Sequence, residues 1–378
     1  MIIRTKYYSE IKNLFELFPI VAILGPRQSG KSTLAKQYYS DFNGVSYFDL
    51  ENERDLGRLQ EAQLALEDLD GLIVIDEIQR RPNLFPTLRY LVDNKPQQYL
   101  ILGSASRELI QQSDESLAGR IAYIELPPFG IDEYDCPVKD FMWRGGYPRS
   151  IMVSTDVLSY RWRQEYTRTF IERDLGLLGL DLDPILVRKL WQMIAHYHGQ
   201  ILNVTEIATS LGCAQRTIHK YLDALEGAFV IRRLQPWYEN IKKRQVKTPK
   251  IYIRDSGLYN AFMGNRSFHD LEGSPKLGAC WEGFAIEELI KFLRPDDVYF
   301  WSTTNGAELD LLLLKDGKRH GFEFKYSSQP TMTKSIHIAL EDLSLDSMTV
   351  IVPKGDPYRL TPDVNVSGLA ELKKIVIF

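Results

Sequence analysis

The octapeptide Gly25-Pro26-Arg27-Gln28-Ser29-Gly30-Lys31-Ser32 constrains this chain more than any other stretch of it. It fits the spacing Gly-x-x-x-x-Gly-Lys-Ser/Thr in full, between an apolar run, Ile20–Leu24, and a helical pattern beginning near Lys31. In that context the glycines let backbone N–H groups curl around an anion, and the helix N-terminus adds a positive partial charge. A mere glycine-rich turn would explain the glycines but not strand, spacing and helix together. Residues 25–32 and Thr33 are therefore the expected contacts to ATP, with Lys31 reaching the β- and γ-phosphates and Ser32 offering a hydroxyl to Mg²⁺. From residue 20 to about 126, apolar runs at 20–24, 45–50, 72–75, 99–102 and 121–126 alternate with helix-like segments. Runs this short are strands, and the segments between them suit crossover helices on both faces of a parallel sheet. Pro127-Pro128 closes the region, because consecutive prolines continue neither a helix nor a central strand.

A second element supports the loop. The strand at 72–75 ends in Asp76-Glu77. Asp76 is placed to hold Mg²⁺ through its water shell, and Glu77 to orient and polarise an attacking water. Two acids capping a strand-to-helix turn would look the same in isolation, but not downstream of such a loop. An adjacent glutamate also favours transfer of phosphate to water over transfer to a second substrate. Ser104, after the run at 99–102, is the candidate γ-phosphate sensor. Arg120 is the candidate cation for transition-state charge, acting in cis or from a neighbouring subunit, with Arg107 a weaker choice and a solvated arginine the bland one.

The middle of the chain reads differently. Gly145-Gly146-Tyr147-Pro148 signals a turn, and residues 205–212 suggest a short capped helix stopped by Gly212. The helical spacing of Ile218, Tyr221, Leu222 and Leu225 follows, and 229–234 reads as a wing strand, so a winged helix-turn-helix is expected. Between Arg216 and Arg254 there are ten Lys or Arg and three Asp or Glu, a local +7 in a chain of net −4. Arg216, Lys220, Lys242, Lys243 and Arg244 are the candidate contacts to nucleic acid, and a protein-contact scaffold with a solvated basic face stands beside that reading. Further on, a hairpin is expected from 309–314 and 321–325 through Asp316-Gly317, after a helix near 279–292. Glu323 and Lys325 share a strand face, Asp310 lies on the neighbouring strand, and Glu282 on the helix completes a group suited to a second Mg²⁺ or Mn²⁺ and phosphodiester cleavage. Alone the pattern is weak, since acids and lysines abound on exposed hairpins.

Composition excludes much else. Hydrophobic residues make up 44% and charged residues 25%, as in ordinary globular proteins, so disorder is not expected. Cys136, Cys213 and Cys280 are scattered, supporting neither a zinc site nor a disulfide framework. Arg4, Lys6, Glu10, Lys12 and Glu16 interrupt any signal-like apolar stretch, and no run is long and apolar enough to span a bilayer. A cytoplasmic protein without membrane contact is expected.

These stretches together resemble a family of bacterial and archaeal AAA-type ATPases whose C-terminal half is a domain of unknown function related to PD-(D/E)xK nucleases. The resemblance covers nearly the whole chain. Besides the phosphate loop it lies in Ile75-Asp76-Glu77-Ile78-Gln79, Gly103-Ser104, Leu117-Ala118-Gly119-Arg120, Gly145-Gly146-Tyr147-Pro148, Ile171-Glu172-Arg173-Asp174, residues 250–258 and Glu323-Phe324-Lys325. It implies an α/β P-loop ATPase domain at 1–128, a helical lid and winged helix-turn-helix at 129–245, and an α/β nuclease-like domain at 246–378. Two functions compete: an ATP-hydrolysing enzyme driving its C-terminal modules, and a nucleotide-dependent switch that turns over rarely, binds a protein partner or a second copy, and keeps a non-catalytic nuclease-like fold. Glu77 favours the first, and an incomplete arginine site the second.

Overall fold

Successive residues of a strand point to opposite faces, and the apolar runs near the N-terminus use both. The computed structural model describes residues 2–106, 117–177 and 182–374. Strands β1 (Ile20–Leu24), β2 (Val45–Asp49), β3 (Leu72–Asp76), β4 (Gln98–Gly103) and β5 (Ile121–Glu125) form the expected parallel sheet, in the order β2-β3-β4-β1-β5. Ile20, Ala22, Leu24, Ile73, Ile75 and Ile101 pack on one face with Leu59, Leu66, Phe85 and Leu88. Val21, Ile23, Leu72, Val74, Leu100 and Leu102 pack on the other with Tyr7, Ile11, Leu34 and Tyr38. Each fully buried aliphatic contributes about 1.5–3 kcal/mol, so a strand alternating between two cores is held from both sides.

This order places β4, which leads into Ser104, between the phosphate-loop strand and the carboxylate strand. Where β1 ends, Gly25 donates to the Gly103 carbonyl at 3.2 Å. A Cβ on Gly25 would run into the carbonyl oxygen of Leu126, so only glycine lets the chain turn there.

By contact the chain falls into two units that are not continuous in sequence. The first joins Met1–Pro128 to Thr169–Asp183 and Lys220–Val230, and the second takes Phe129–Arg168, Pro184–His219 and Ile231–Phe378. The late segments are integral to the first unit: Phe229 belongs to the core on one face of the sheet, and Ser106 donates to the Gly227 carbonyl at 2.7 Å.

The middle of the chain is helical, with helices Pro184–Tyr197, Val204–Leu211 and Gln215–Gly227. Asn203 caps the second by accepting from the Glu206 N–H, and Gly212 (φ 65°) ends it. Strands β6 (Gln200–Ile201), β7 (Ile231–Pro236) and β8 (Lys250–Ile253) pair antiparallel beside them. β7 then runs on, parallel to β9 (Asp297–Ser302). That junction fuses the small sheet with β10 (Glu308–Lys315), β11 (Lys318–Phe324), β12 (Ser347–Val352), β13 (Tyr358–Thr361) and β14 (Val364–Gly368) into a mixed nine-stranded sheet. The expected hairpin is β10–β11. Lys315 faces Lys318, leaving Asp316 (φ 50°) and Gly317 (φ 75°) as a two-residue turn whose left-handed residues match the strand twist. Helix Lys334–Leu343 packs Ile336, Ala339 and Leu343 on Leu309, Leu312 and Val350. Helix Leu277–Leu293 buries Trp281, Phe284, Ala285 and Leu289.

Two stretches that the sequence singled out clasp one another in the second unit. Asp255 caps helix Ser256–Met263 through the Leu258 N–H at 2.9 Å and accepts from the Gly146 N–H at 2.8 Å. A Cβ on Gly146 would meet the Phe129 carbonyl, so the glycine of Gly-Gly-Tyr-Pro is a close-approach residue. Among the described residues no helix is long and apolar enough to cross a membrane.

Candidate functional site

The phosphate loop is closed on itself. Lys31 is buried, and its Nζ donates to the carbonyls of Gly25 and Pro26, both at 2.9 Å. Burial pulls its pKa down to about 8, against the nearby charges of Glu77 and Asp76. Gly30, at φ 99°, begins helix Lys31–Tyr39 with no side-chain cap. The first helical N–H groups thus face the loop as an anion seat. Ser29 Oγ is buried there without a hydrogen-bond partner. A buried hydroxyl without a partner in this loop fits a phosphate oxygen.

Ser32 Oγ donates to Asp76 Oδ2 at 2.9 Å, and Tyr47 OH donates to the same oxygen at 2.7 Å. Burial, with Glu77 beside it, leaves the Asp76 carboxyl above its ordinary range. A hydroxyl and a carboxylate at this separation are hard oxygen donors of the kind Mg²⁺ takes. Glu77 follows in the left-handed conformation, φ 58°. Its carboxylate accepts from Ser104 Oγ at 3.0 Å and from Gln79 Nε2, which also donates to Ser104 Oγ at 2.8 Å. Gln79 Oε1 accepts from the Ser104 N–H at 3.1 Å. The structure therefore brings Lys31, Ser32, Asp76, Glu77 and Ser104 together. Tyr47 was missed, because a tyrosine inside a strand carries no sequence signal of its own, and Gln79 stood in the Asp76-Glu77 stretch without a role.

The arginines fall elsewhere than expected. Arg120 pairs with Asp93 at 2.6 and 3.0 Å, and its carbonyl accepts from the Ile20 N–H. It thus marks the edge where β1 and β5 begin, whereas the phosphate loop follows Leu24 at their far ends. Five residues of strand separate the two, about 16 Å, so the structure does not bring Arg120 to its own chain's loop. Arg107 lies outside the described residues. Instead Arg27, within the loop, pairs with Glu51 and with Asp174 at 2.7 Å. Asp174 ends a π-helical turn, Phe170–Asp174, that follows helix Asp156–Thr169.

In the second unit Glu282, Asp310, Glu323 and Lys325 do converge, around a residue the sequence reading left out. Lys250 Nζ lies 2.6 Å from Glu308, 3.2 Å from Glu282 and 3.9 Å from Asp310. Tyr252 OH donates to Glu282 at 2.5 Å, Asp310 accepts from the Phe324 N–H at 3.1 Å, and Lys325 pairs with Glu323 at 2.9 Å. Burial, then the charge of Asp310, holds both Glu282 and Glu323 above the ordinary carboxylate range. Among the described residues no group of three or more His, Cys, Asp or Glu is disposed to hold a metal ion. The Lys250 ammonium stands among Glu282, Glu308 and Asp310, and the Lys325 ammonium pairs with Glu323.

The basic segment is only partly a surface. Arg216 and Lys220 are exposed one turn apart on helix Gln215–Gly227, and Lys242, Lys243 and Arg244 are exposed, with Lys243 paired to Asp342 at 2.8 Å. Arg232 and Arg254 turn inward to Glu287, at 2.5 and 3.2 Å, and hold it down at about 2 against its burial. With Lys250 also buried, the net charge of the segment overstates its outward field.

A five-stranded parallel sheet with a phosphate loop after β1, paired acids where β3 ends and a serine after β4 defines a P-loop ATPase domain of the AAA type. Residues 17–135 match a family model described as an AAA domain, and models of two domains of unknown function, DUF8612 and DUF4143, match 137–269 and 277–372. The uncharacterized protein Rv2008c of Mycobacterium tuberculosis is 44% identical over 349 residues, covering 92% of this chain and 79% of the relative. The chain belongs to this family of AAA-domain proteins. An uncharacterized protein of Haemophilus influenzae is 23% identical over 300 residues, covering 70% of this chain and 74% of its own. Among solved structures, the Walker-type ATPase PABY2304 of Pyrococcus abyssi is similar, at 17% identity and a TM-score of 0.46, over 70% of this chain and 96% of that one.

Proposed function

We propose that this protein binds ATP with Mg²⁺ in the phosphate loop, hydrolyses it, and uses the cycle to act through its C-terminal modules. The observation that carries the reading is the assembly of Ser32, Asp76, Glu77 and Ser104 around one loop. Lys31 exchanges the carbonyls of Gly25 and Pro26 for the β- and γ-phosphates, and the loop N–H groups and Ser29 Oγ take the remaining oxygens. Ser32 and Asp76 are the residues that would hold Mg²⁺, which supplies neutralising charge on the phosphate oxygens. Glu77 orients water and receives its proton, while Gln79 and Ser104 fix the carboxylate. The test is steady-state hydrolysis with and without duplex DNA or RNA. Lys31→Ala loses tight nucleotide binding, and Glu77→Gln keeps binding but slows turnover by about 10²–10⁴-fold. A Glu77→Gln protein that hydrolyses at the wild-type rate would refute the mechanism.

For the modules, the pair of helices with β6, β7 and β8 supports a winged helix-turn-helix, and the exposed Arg216, Lys220, Lys242 and Arg244 support nucleic-acid contact. Such binding weakens steeply with salt, and stimulation of hydrolysis by DNA or RNA is its signature in the same assay. A second reading, favoured by Lys250, is that the nuclease-like fold of the C-terminal part is a non-catalytic module. Its carboxylates are paired by two internal ammonium groups, Lys250 and Lys325, which stand where a second Mg²⁺ or Mn²⁺ would have to act. Metal-dependent nicking of DNA that disappears in Asp310→Ala would reverse that reading.

A further inference from the structure

We propose that Arg27 is the catalytic arginine of the ATPase site, acting in cis on the γ-phosphate, and that Asp174 is the positioning residue that holds it between turnovers. The proposal rests on the hydrolytic reading above and adds a residue to it.

Hydrolysis moves a proton from water to Glu77 as oxygen bonds to the γ-phosphorus, and the bond to the bridging oxygen breaks with its electron pair passing to ADP. Negative charge grows on the peripheral and bridging oxygens, and an arginine that meets it is a recurrent part of such sites. Arg120 stands at the opposite edge of the sheet. Arg27 stands inside the loop that holds the phosphates, two residues after Gly25. The Glu77 charge acts on Arg27 as it does on Lys31, so both cations lie near the acid that follows β3. A guanidinium offers a planar fork that matches phosphoryl oxygens two at a time.

Two acids restrain Arg27. Its side chain keeps 20% exposure and lies between Glu51, just past β2, and Asp174. Asp174 comes from 147 residues along the chain and is delivered by a π-helical turn. Such turns are rare and collect at functional places, because the wide turn re-aims a side chain that an α-helical turn would point elsewhere. Here the re-aimed side chain is the carboxylate that a γ-phosphate has to displace. The stretch Ile171-Glu172-Arg173-Asp174 thereby gains a physical role: the state of the phosphate seat is read by the segment Thr169–Asp183.

The experiment uses the full-length chain and compares wild type, Arg27→Ala, Arg27→Lys and Asp174→Asn. It measures kcat and KM for ATP, the affinity for a fluorescent ADP, and the tightening of that ADP by aluminium fluoride, which mimics the transferring phosphoryl group. Arg27→Ala is expected to lose about 10³-fold in kcat, to bind ADP within about threefold of wild type, and to lose the tightening. Arg27→Lys keeps the charge and the fold but not the fork, and also loses most of the tightening. Asp174→Asn lowers KM while kcat stays within the same order, and the tightening survives. An Arg27→Ala protein with wild-type kcat overturns the proposal. So does one that binds no ADP while Arg27→Lys behaves as wild type, since that outcome assigns Arg27 to loop structure. A wild type that binds ATP without hydrolysing it removes the hydrolytic reading itself, and this inference with it.

Discussion

Glu77 sits at φ 58°, where a residue with a Cβ is disfavoured by about 1–2 kcal/mol. The strain persists because the backbone there aims the carboxylate at Ser104 and Gln79. Gln79 bonds both of its neighbours at once, so its amide fixes where the carboxylate points. Gln79→Ala should therefore lower kcat about tenfold and leave ATP affinity in place, because only the orientation of the base is loosened. Parallel measurement of kcat and of the dissociation constant checks this, and a change confined to affinity would contradict it. At this scale the sequence was most legible where chemistry is local. Lys31, Ser32, Asp76 and Glu77 lie in two short motifs whose spacing encodes their geometry. Tyr47, Lys250 and the Arg27–Asp174 pair were not legible, because each owes its role to a partner far along the chain.

Helix Pro184–Tyr197 hands over to His198, which is buried against Tyr259 with ring centroids 4.4 Å apart. Its Nδ1 accepts from the Ile253 N–H of β8 at 3.0 Å. Burial holds the ring neutral, with its pKa pulled down to about 3. In the unfolded chain the same ring protonates near pH 6.5. Below that pH the unfolded state binds the extra proton, so the stability that neutral His198 contributes is complete above about pH 6.5 and drains away as pH falls toward 3. Relative to His198→Gln, the thermal midpoint of the wild-type chain should accordingly fall between pH 6.5 and 4. His198→Gln should be less stable at neutral pH yet flatter across that window, and an equal slope in both proteins would rule out His198 as the source. The β10–β11 hairpin at this scale could be read from period and turn chemistry, down to Asp316-Gly317, whereas β9 and β12–β14 were not read. The parallel seam between β7 and β9 could not, since pairing of Gln235 with Tyr299 leaves no local trace. Nor could the π turn, which differs from an α-helical one in hydrogen-bond span rather than in composition.

For the whole molecule the informative quantity is which residues share a core, and that departs from chain order. A fragment of residues 1–128 retains all five strands of the first sheet but lacks Phe229, the Gly227 carbonyl and Asp174. Losing one buried aromatic alone removes about 1.5–3 kcal/mol, enough to lower a melting midpoint by roughly 5 °C or more. Thermal melting of that fragment beside the full chain, with nucleotide present and absent, measures the deficit; equal midpoints would show that the late segments add nothing. The sequence reading divides the chain at 128 because the proline pair ends a run of alternating elements. Nothing in the sequence marks the return of 220–230, since a single phenylalanine after a helix looks the same whichever core receives it. Charge behaved alike: the net charge of a segment was countable, but its direction was not, and Arg232, Lys250 and Arg254 point inward.

The two late segments of the first unit also set an order in time. On the ribosome the strands of the phosphate-binding sheet emerge first, whereas Phe229 is made about 100 residues after Pro128, a delay of about 5–20 s at ordinary synthesis rates. Throughout that interval one face of the sheet waits with its apolar side chains incompletely covered. A chain that stops before residue 220 leaves that face without the side chain that completes its core.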